Sequence, residues 1–100
     1  MINPDSPRGK EFGFTSDLFD GYLWQIDDSI YFSLILSKKP REGNLKRLMK
    51  TILDKGLTVK VPTPLGLMTT ILDKYGFEEI EEPFPLGGTV QVWMKKGSLP

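Results

Sequence analysis

IYFSLILSKKPREGNLKRLMKTILDKG, residues 30–56, decides how this chain folds. Its opening, IYFSLILS, is nearly all apolar and rich in β-branched and aromatic residues, and it barely alternates. That is the composition of a strand in the middle of a sheet, covered on each face. The next six residues, KKPREG, are basic and break the strand at Pro40 and Gly43. From Asn44 the period changes. Leu45, Leu48, Met49, Ile52 and Leu53 fall at i, i+3, i+4, i+7 and i+8, one apolar stripe of a helix over residues 44–55. Lys46, Arg47, Lys50 and Asp54 take its outer side. Asn44 has the chemistry of an N-cap and Gly56 that of a C′ residue. A strand, a Gly-containing turn and a helix start can hold phosphate, because the first helical amides have no partner inside the helix and the dipole there favours negative charge.

Working upstream, residues 21–26 (GYLWQI) form a second strand, and Asp27, Asp28 and Ser29 a turn, so residues 21–37 are expected as an antiparallel hairpin. Trp24 and Trp93 are expected in the sheet core. Residues 12–20 fit either a helical turn capped by Thr15, Ser16 or Asp17, or an irregular strand. Residues 1–11 carry Pro4, Ser6, Pro7 and Gly9 without apolar period and are expected as a flexible arm; the alternative is an edge strand completed by Phe12 and Phe14. Working downstream, residues 57–61 (LTVKV) form a strand ended by Pro62, which closes a βαβ crossover. Thr63 can cap a second helix with Pro64 at its first position. Leu65, Met68, Ile71, Leu72 and Tyr75 form its stripe, and Gly76 stops it. Residues 77–80 and 89–95 are expected as a second hairpin around a Pro- and Gly-rich loop, residues 83–88. The whole is an α+β fold: one domain over residues 12–100, a mostly antiparallel sheet, a βαβ crossover and two main helices.

Composition narrows the chemistry. The 100 residues suit one core, and the formal net charge of zero gives no global field to gather nucleic acid or an anionic membrane. Charge is nonetheless segregated: eight of the thirteen basic residues lie within residues 38–60. Glu78, Glu79, Glu81 and Glu82 crowd into residues 78–82, where they either solvate a sheet edge or attract a cationic acceptor amine and take its proton. With no Cys and no His, thiol nucleophiles, His-based triads and the usual zinc ligands are excluded. Chemistry is left to carboxylates, Tyr, Ser, Thr, Lys, the backbone or a bound cofactor. The basic cluster has no interleaved aromatics, which argues against single-stranded nucleic acid as partner. No apolar run is long enough to span a membrane, and residues 1–10 are polar, unlike a signal peptide, so a cytoplasmic protein is expected.

The order of elements, with Gly43-Asn44-Leu45-Lys46-Arg47-Leu48, Val61-Pro62-Thr63-Pro64 and Gly76-Phe77 at their boundaries, resembles the GCN5-related N-acetyltransferase (GNAT) family over roughly residues 21–95. It is most similar to the short members encoded by bacteriophages, which would place the protein in a host cytoplasm. The resemblance implies a compact GNAT-like fold, acetyl-coenzyme A (acetyl-CoA) as cofactor, and a small-molecule or protein amine as acceptor. It implies that the strand edge at Leu34, Leu36 and Ser37 pairs with the pantetheine arm. It implies that Lys38, Lys39, Arg41, Glu42, Gly43, Asn44 and Leu45 surround the pyrophosphate. Tyr75 could take the part of the family's general acid, whose usual place holds Leu72; the alternative is that Tyr75 closes the core at the helix end. Two further departures are plain. Gly43 is the only glycine of the loop, and only about twenty residues precede Tyr22, where family members carry two helices. That leaves an open acceptor site or one completed by a second subunit. The competing expectation is an inactive scaffold of the same fold that binds a protein.

Overall fold

The computed structural model describes residues 1–39, 42–64, 67–83 and 86–97. Its elements follow the order α1 (Pro7–Phe12), β1 (Phe19–Ile26), β2 (Ser29–Ser37), α2 (Asn44–Asp54), β3 (Thr58–Pro62), α3 (Leu67–Lys74), β4 (Glu78–Pro83) and β5 (Thr89–Lys95). The five strands form one sheet in the order β1-β2-β3-β5-β4. β2 and β3 are parallel, joined by α2; the other three interfaces are antiparallel. This is a mostly antiparallel α+β fold with one βαβ crossover, consistent with the GNAT-like architecture expected. Because β5 returns between β3 and β4, the acidic strand β4 lies at one edge and β1 at the other.

One cluster forms the core. Ile30, Phe32, Val59 and Val61 supply the sheet side, and Leu48, Met49 and Ile52 the stripe of α2. Phe12 of α1 and Leu72 of α3 join the same cluster, so the three helices share one layer. The 3.6-residue stripe read from the sequence is the stripe that α2 buries.

The other face of the sheet has no helix on it among the described residues. Tyr22, Trp24 and Ile26 alternate along β1 toward that face, and Trp24 is 42% and Ile26 58% exposed. Trp24 is therefore not core as expected, whereas Trp93 is half-buried against the cluster. β2 does lie inside the sheet but is covered on one face only: Leu36 is 66% exposed.

Several boundaries differ from expectation. Residues 1–11 are not a loose arm. Ser6 caps α1 by accepting from the Gly9 amide, Pro7 takes the first position, and Gly13 closes it. Ile2 is buried and exchanges two backbone hydrogen bonds with Leu23, at 2.7 and 2.9 Å, so a short run of chain covers the β1 edge. The N-cap of α2 is Gly43, not Asn44. Pro64 is not helical, Thr63 has φ 43°, and α3 is described over Leu67–Lys74; the expected stripe residue Leu65 lies outside the described residues. β4 reaches Pro83, beyond the expected end at residue 80, because each of its six residues finds a partner on β5.

Candidate functional site

The site begins with a fault in the sheet. Tyr22 pairs with Leu34 and Trp24 with Tyr31, two steps on β1 against three on β2. The extra residue falls at Phe32-Ser33, a β-bulge in β2. A bulge leaves a residue out of the ladder and bends its strand. The parallel ladder to β3 ends at the same place: it runs Ser29–Thr58, Ile30–Val59, Tyr31–Lys60 and stops. Past Tyr31, β2 keeps β1 as neighbour as far as Ser37 but has no ladder to β3. The β3-facing backbone edge that holds Leu34, Leu36 and Ser37 is thereby opened. The side chain of Leu36 stands in solvent on the face without helices.

At the far end of that edge α2 starts without a cap. Gly43 adopts φ 75°, the left-handed region that L residues with a Cβ avoid, and among the described residues no side chain caps the helix. Its carbonyl accepts the first helical bond, from the Arg47 amide at 3.0 Å. The amides of Asn44, Leu45 and Lys46 have no acceptor among the described residues, as a helix start requires of its first turn. Asn44 is buried at 6% exposure. Its Oδ1 accepts from the Arg47 guanidinium, while its Nδ2 is buried without a partner among the described residues. An orphaned buried donor beside open helical amides is a place for an anion or a carbonyl oxygen.

The residues expected around the phosphates do not all converge there. Lys38 is turned back on the N-terminal part: its amide donates to the Leu18 carbonyl, and its Nζ donates to the Ser16 carbonyl at 2.6 Å and lies 3.5 Å from Asp20. Lys39 and Glu42 are exposed, Leu45 packs against the core, and Arg41 lies outside the described residues. Arg47 is the cation held at the helix start.

A polar cluster sits at the last rung of the parallel ladder, on the helix-free face. The Tyr31 hydroxyl donates to Glu82 Oε1 at 3.2 Å, and Lys60 Nζ donates to Glu82 Oε2 at 2.6 Å and to the Tyr31 oxygen at 3.3 Å. Lys60 also lies 5.3 Å from the Tyr31 ring centroid. Lys60 pairs with Met94 and Glu82 with Val90, so the ion pair strides across β5 above Val92, which is fully buried. Burial works to lower the Lys60 pKa, but the hydrogen bonds to Glu82 and Tyr31 outweigh it and raise it above 10.5. Glu82 was legible in the acidic run; Tyr31 and Lys60 were not, because only the strand register brings them together.

Tyr75 follows α3 and is half-buried. Lys46 Nζ lies 5.3 Å from its ring centroid, and its carbonyl accepts from Lys95 Nζ at 2.6 Å. It shares a groove with Met49, Leu53 and Phe77 that Leu36 and Ser37 do not line. Tyr75 and the splayed edge thus belong to different surfaces. Among the described residues no group of His, Cys, Asp and Glu is arranged to hold a metal ion, and no helix is long and apolar enough to cross a membrane.

Comparison with family models, with curated proteins and with solved structures gives no match to this chain.

Proposed function

We propose that the protein is a minimal acetyl-CoA-dependent N-acyltransferase acting by direct attack of an amine. One observation carries the reading: the bulge in β2 and the end of its ladder to β3 at Tyr31–Lys60 lead to an uncapped helix start holding an unpartnered Asn44 Nδ2. The fit is chemical. The open amides of α2, Asn44 Nδ2 and Arg47 offer donors and positive charge to a diphosphate. The freed edge of β2 offers backbone groups to an amide-bearing arm. When bound, the cofactor supplies an acyl thioester. The amine nitrogen attacks its carbonyl carbon, the C–S bond breaks, and the sulfur leaves with the electron pair. The chain contributes positioning, and backbone N–H groups of β2 steady the carbonyl oxygen as it gains charge. Glu82, at the mouth of the opened ladder, would take the proton that the amine loses, and the Tyr31 hydroxyl bonded to it would give one to the departing sulfur, the part that the resemblance gave to Tyr75. No step needs His or Cys.

Thermal denaturation with increasing acetyl-CoA tests this. A ligand that binds only the folded state at a hundred times its Kd adds about 2.7 kcal/mol, seen as a Tm that rises with concentration. A Tm that stays flat at millimolar acetyl-CoA contradicts the reading. A second reading, an inactive scaffold of the same fold that binds a protein or a second copy of itself, is favoured by the helix-free sheet face with Trp24, Ile26 and Leu36 exposed. A stoichiometric complex without acyl transfer distinguishes it.

A further inference from the structure

The groove between α2 and the end of α3 lies apart from the β2 edge and has chemistry of its own. Its volume is about 470 Å³, within the range of ligand-binding clefts, though it is half-open rather than enclosed. Its floor is apolar: Met49, Leu53, Tyr75 and Phe77. Its rim is cationic: among the described residues Lys46, Lys50, Lys74, Lys95 and Lys96 line it, against one acid, Asp54. Five lysines to one aspartate is a strong local excess in a chain whose formal charge sums to zero.

The lysines are not equivalent. Lys50 is paired with Asp54 at 2.9 Å, Lys46 lies over Tyr75, and Lys95 is held by the Tyr75 carbonyl. These three shape the walls. Lys74 and Lys96 are exposed and have no partner among the described residues. Free ammonium groups beside an apolar floor suit a partner that brings carboxylates and one bulky apolar side chain together. A small anion would meet the lysines but leave the floor bare. A nucleic acid would meet the lysines while its backbone gained nothing from Leu53 and Phe77.

We propose that this groove binds an acidic peptide segment. A large apolar side chain of the peptide seats on Tyr75 and Leu53, and its flanking carboxylates face Lys74 and Lys96. The proposal is independent of acyl transfer.

Fluorescence anisotropy on the full chain tests it, with a labelled peptide of Glu-Glu-Phe-Glu-Glu pattern. Three competitors are titrated beside it: the peptide with Lys for every Glu, the peptide with Gly for Phe, and a single-stranded DNA oligonucleotide. The expected result is saturable binding of the acidic peptide that weakens with salt, and about tenfold or greater weakening on Lys74→Glu with Lys96→Glu, as charge reversal at an interface produces. The Gly peptide binds correspondingly more weakly. Both substituted lysines are exposed, and circular dichroism verifies that the variant is folded. A flat titration at millimolar acidic peptide overturns the proposal. So does equal binding of the Gly or Lys peptides, tighter binding of the oligonucleotide, or sedimentation showing the groove closed by a second copy of the chain.

Discussion

Asn44 is the residue on which the helix start turns. It is buried, with one side-chain end bonded to Arg47 and the other unpartnered among the described residues. An unsatisfied buried donor costs stability, so its removal costs the fold little: Asn44→Leu is expected to shift unfolding free energy by no more than about 1 kcal/mol. The same substitution should abolish any acetyl-CoA-dependent rise in Tm, and a rise that survives would remove Asn44 from the site. The Lys60–Glu82 pair makes the opposite prediction. With side chains only 15% and 24% exposed, loss of one partner strands the other above Val92. Glu82→Ala is expected to cost about 1–3 kcal/mol in chemical denaturation, and Lys60→Met with Glu82→Leu to recover most of it. If the double variant is no better than the single one, the pair does not roof Val92. The pH dependence follows from the raised Lys60 pKa. Its folded value lies above its unfolded one, so the contribution is complete below about pH 10.5 and is lost as pH climbs through the folded value. Glu82→Gln should flatten that alkaline limb. At this scale the sequence announced Glu82 and Asn44 as polar groups in notable places. It gave no sign of Tyr31 and Lys60, whose meeting depends on pairing between strands 29 residues apart.

Among the elements, α2 was the most legible, because a helical stripe is local information. Leu45 through Leu53 carry it without help from the rest of the chain. Its start was misread by one residue: Asn44 is a common cap, but the positive φ needed after the loop suits Gly43. Gly43→Ala is therefore expected to lose about 1–2 kcal/mol from conformation alone, since an added Cβ meets nothing nearer than the Arg47 guanidinium at 3.5 Å. A thermal melt checks this, and an unchanged Tm would mean the helix start relaxes. α1 was illegible because six residues carry too little period to be seen. Its order rests on the Ser6 cap and on Ile2 paired with Leu23. Ser6→Ala should cost about 1 kcal/mol and speed hydrogen exchange at the Ile2 and Leu23 amides before other amides of β1. Uniform exchange across β1 would show that the terminal segment does not depend on that cap.

Across the whole molecule, the hairpins and the βαβ unit could be read from turn residues and periods, and their order gave the fold class. The bulge could not be read. It is a mismatch of one residue between two strands, visible only when Leu23 is set against Phe32 and Ser33. Nor could the bare sheet face, because the apolar side chains of β2 suit two covered faces equally well. Three helices fill one layer, no described helix lies on the other face, and the parallel ladder ends beside the bulge in β2. That opening is the place proposed for the acyl carrier. The direct measurement is a titration of the isotopically labelled chain with acetyl-CoA, followed through its backbone amide resonances. The expected result is saturable shifts concentrated at residues 32–37 and 43–47, with Lys74, Lys95 and Lys96 of the groove unmoved. Amides at those positions that do not respond at millimolar ligand, or shifts confined to the Tyr75 groove, would contradict it.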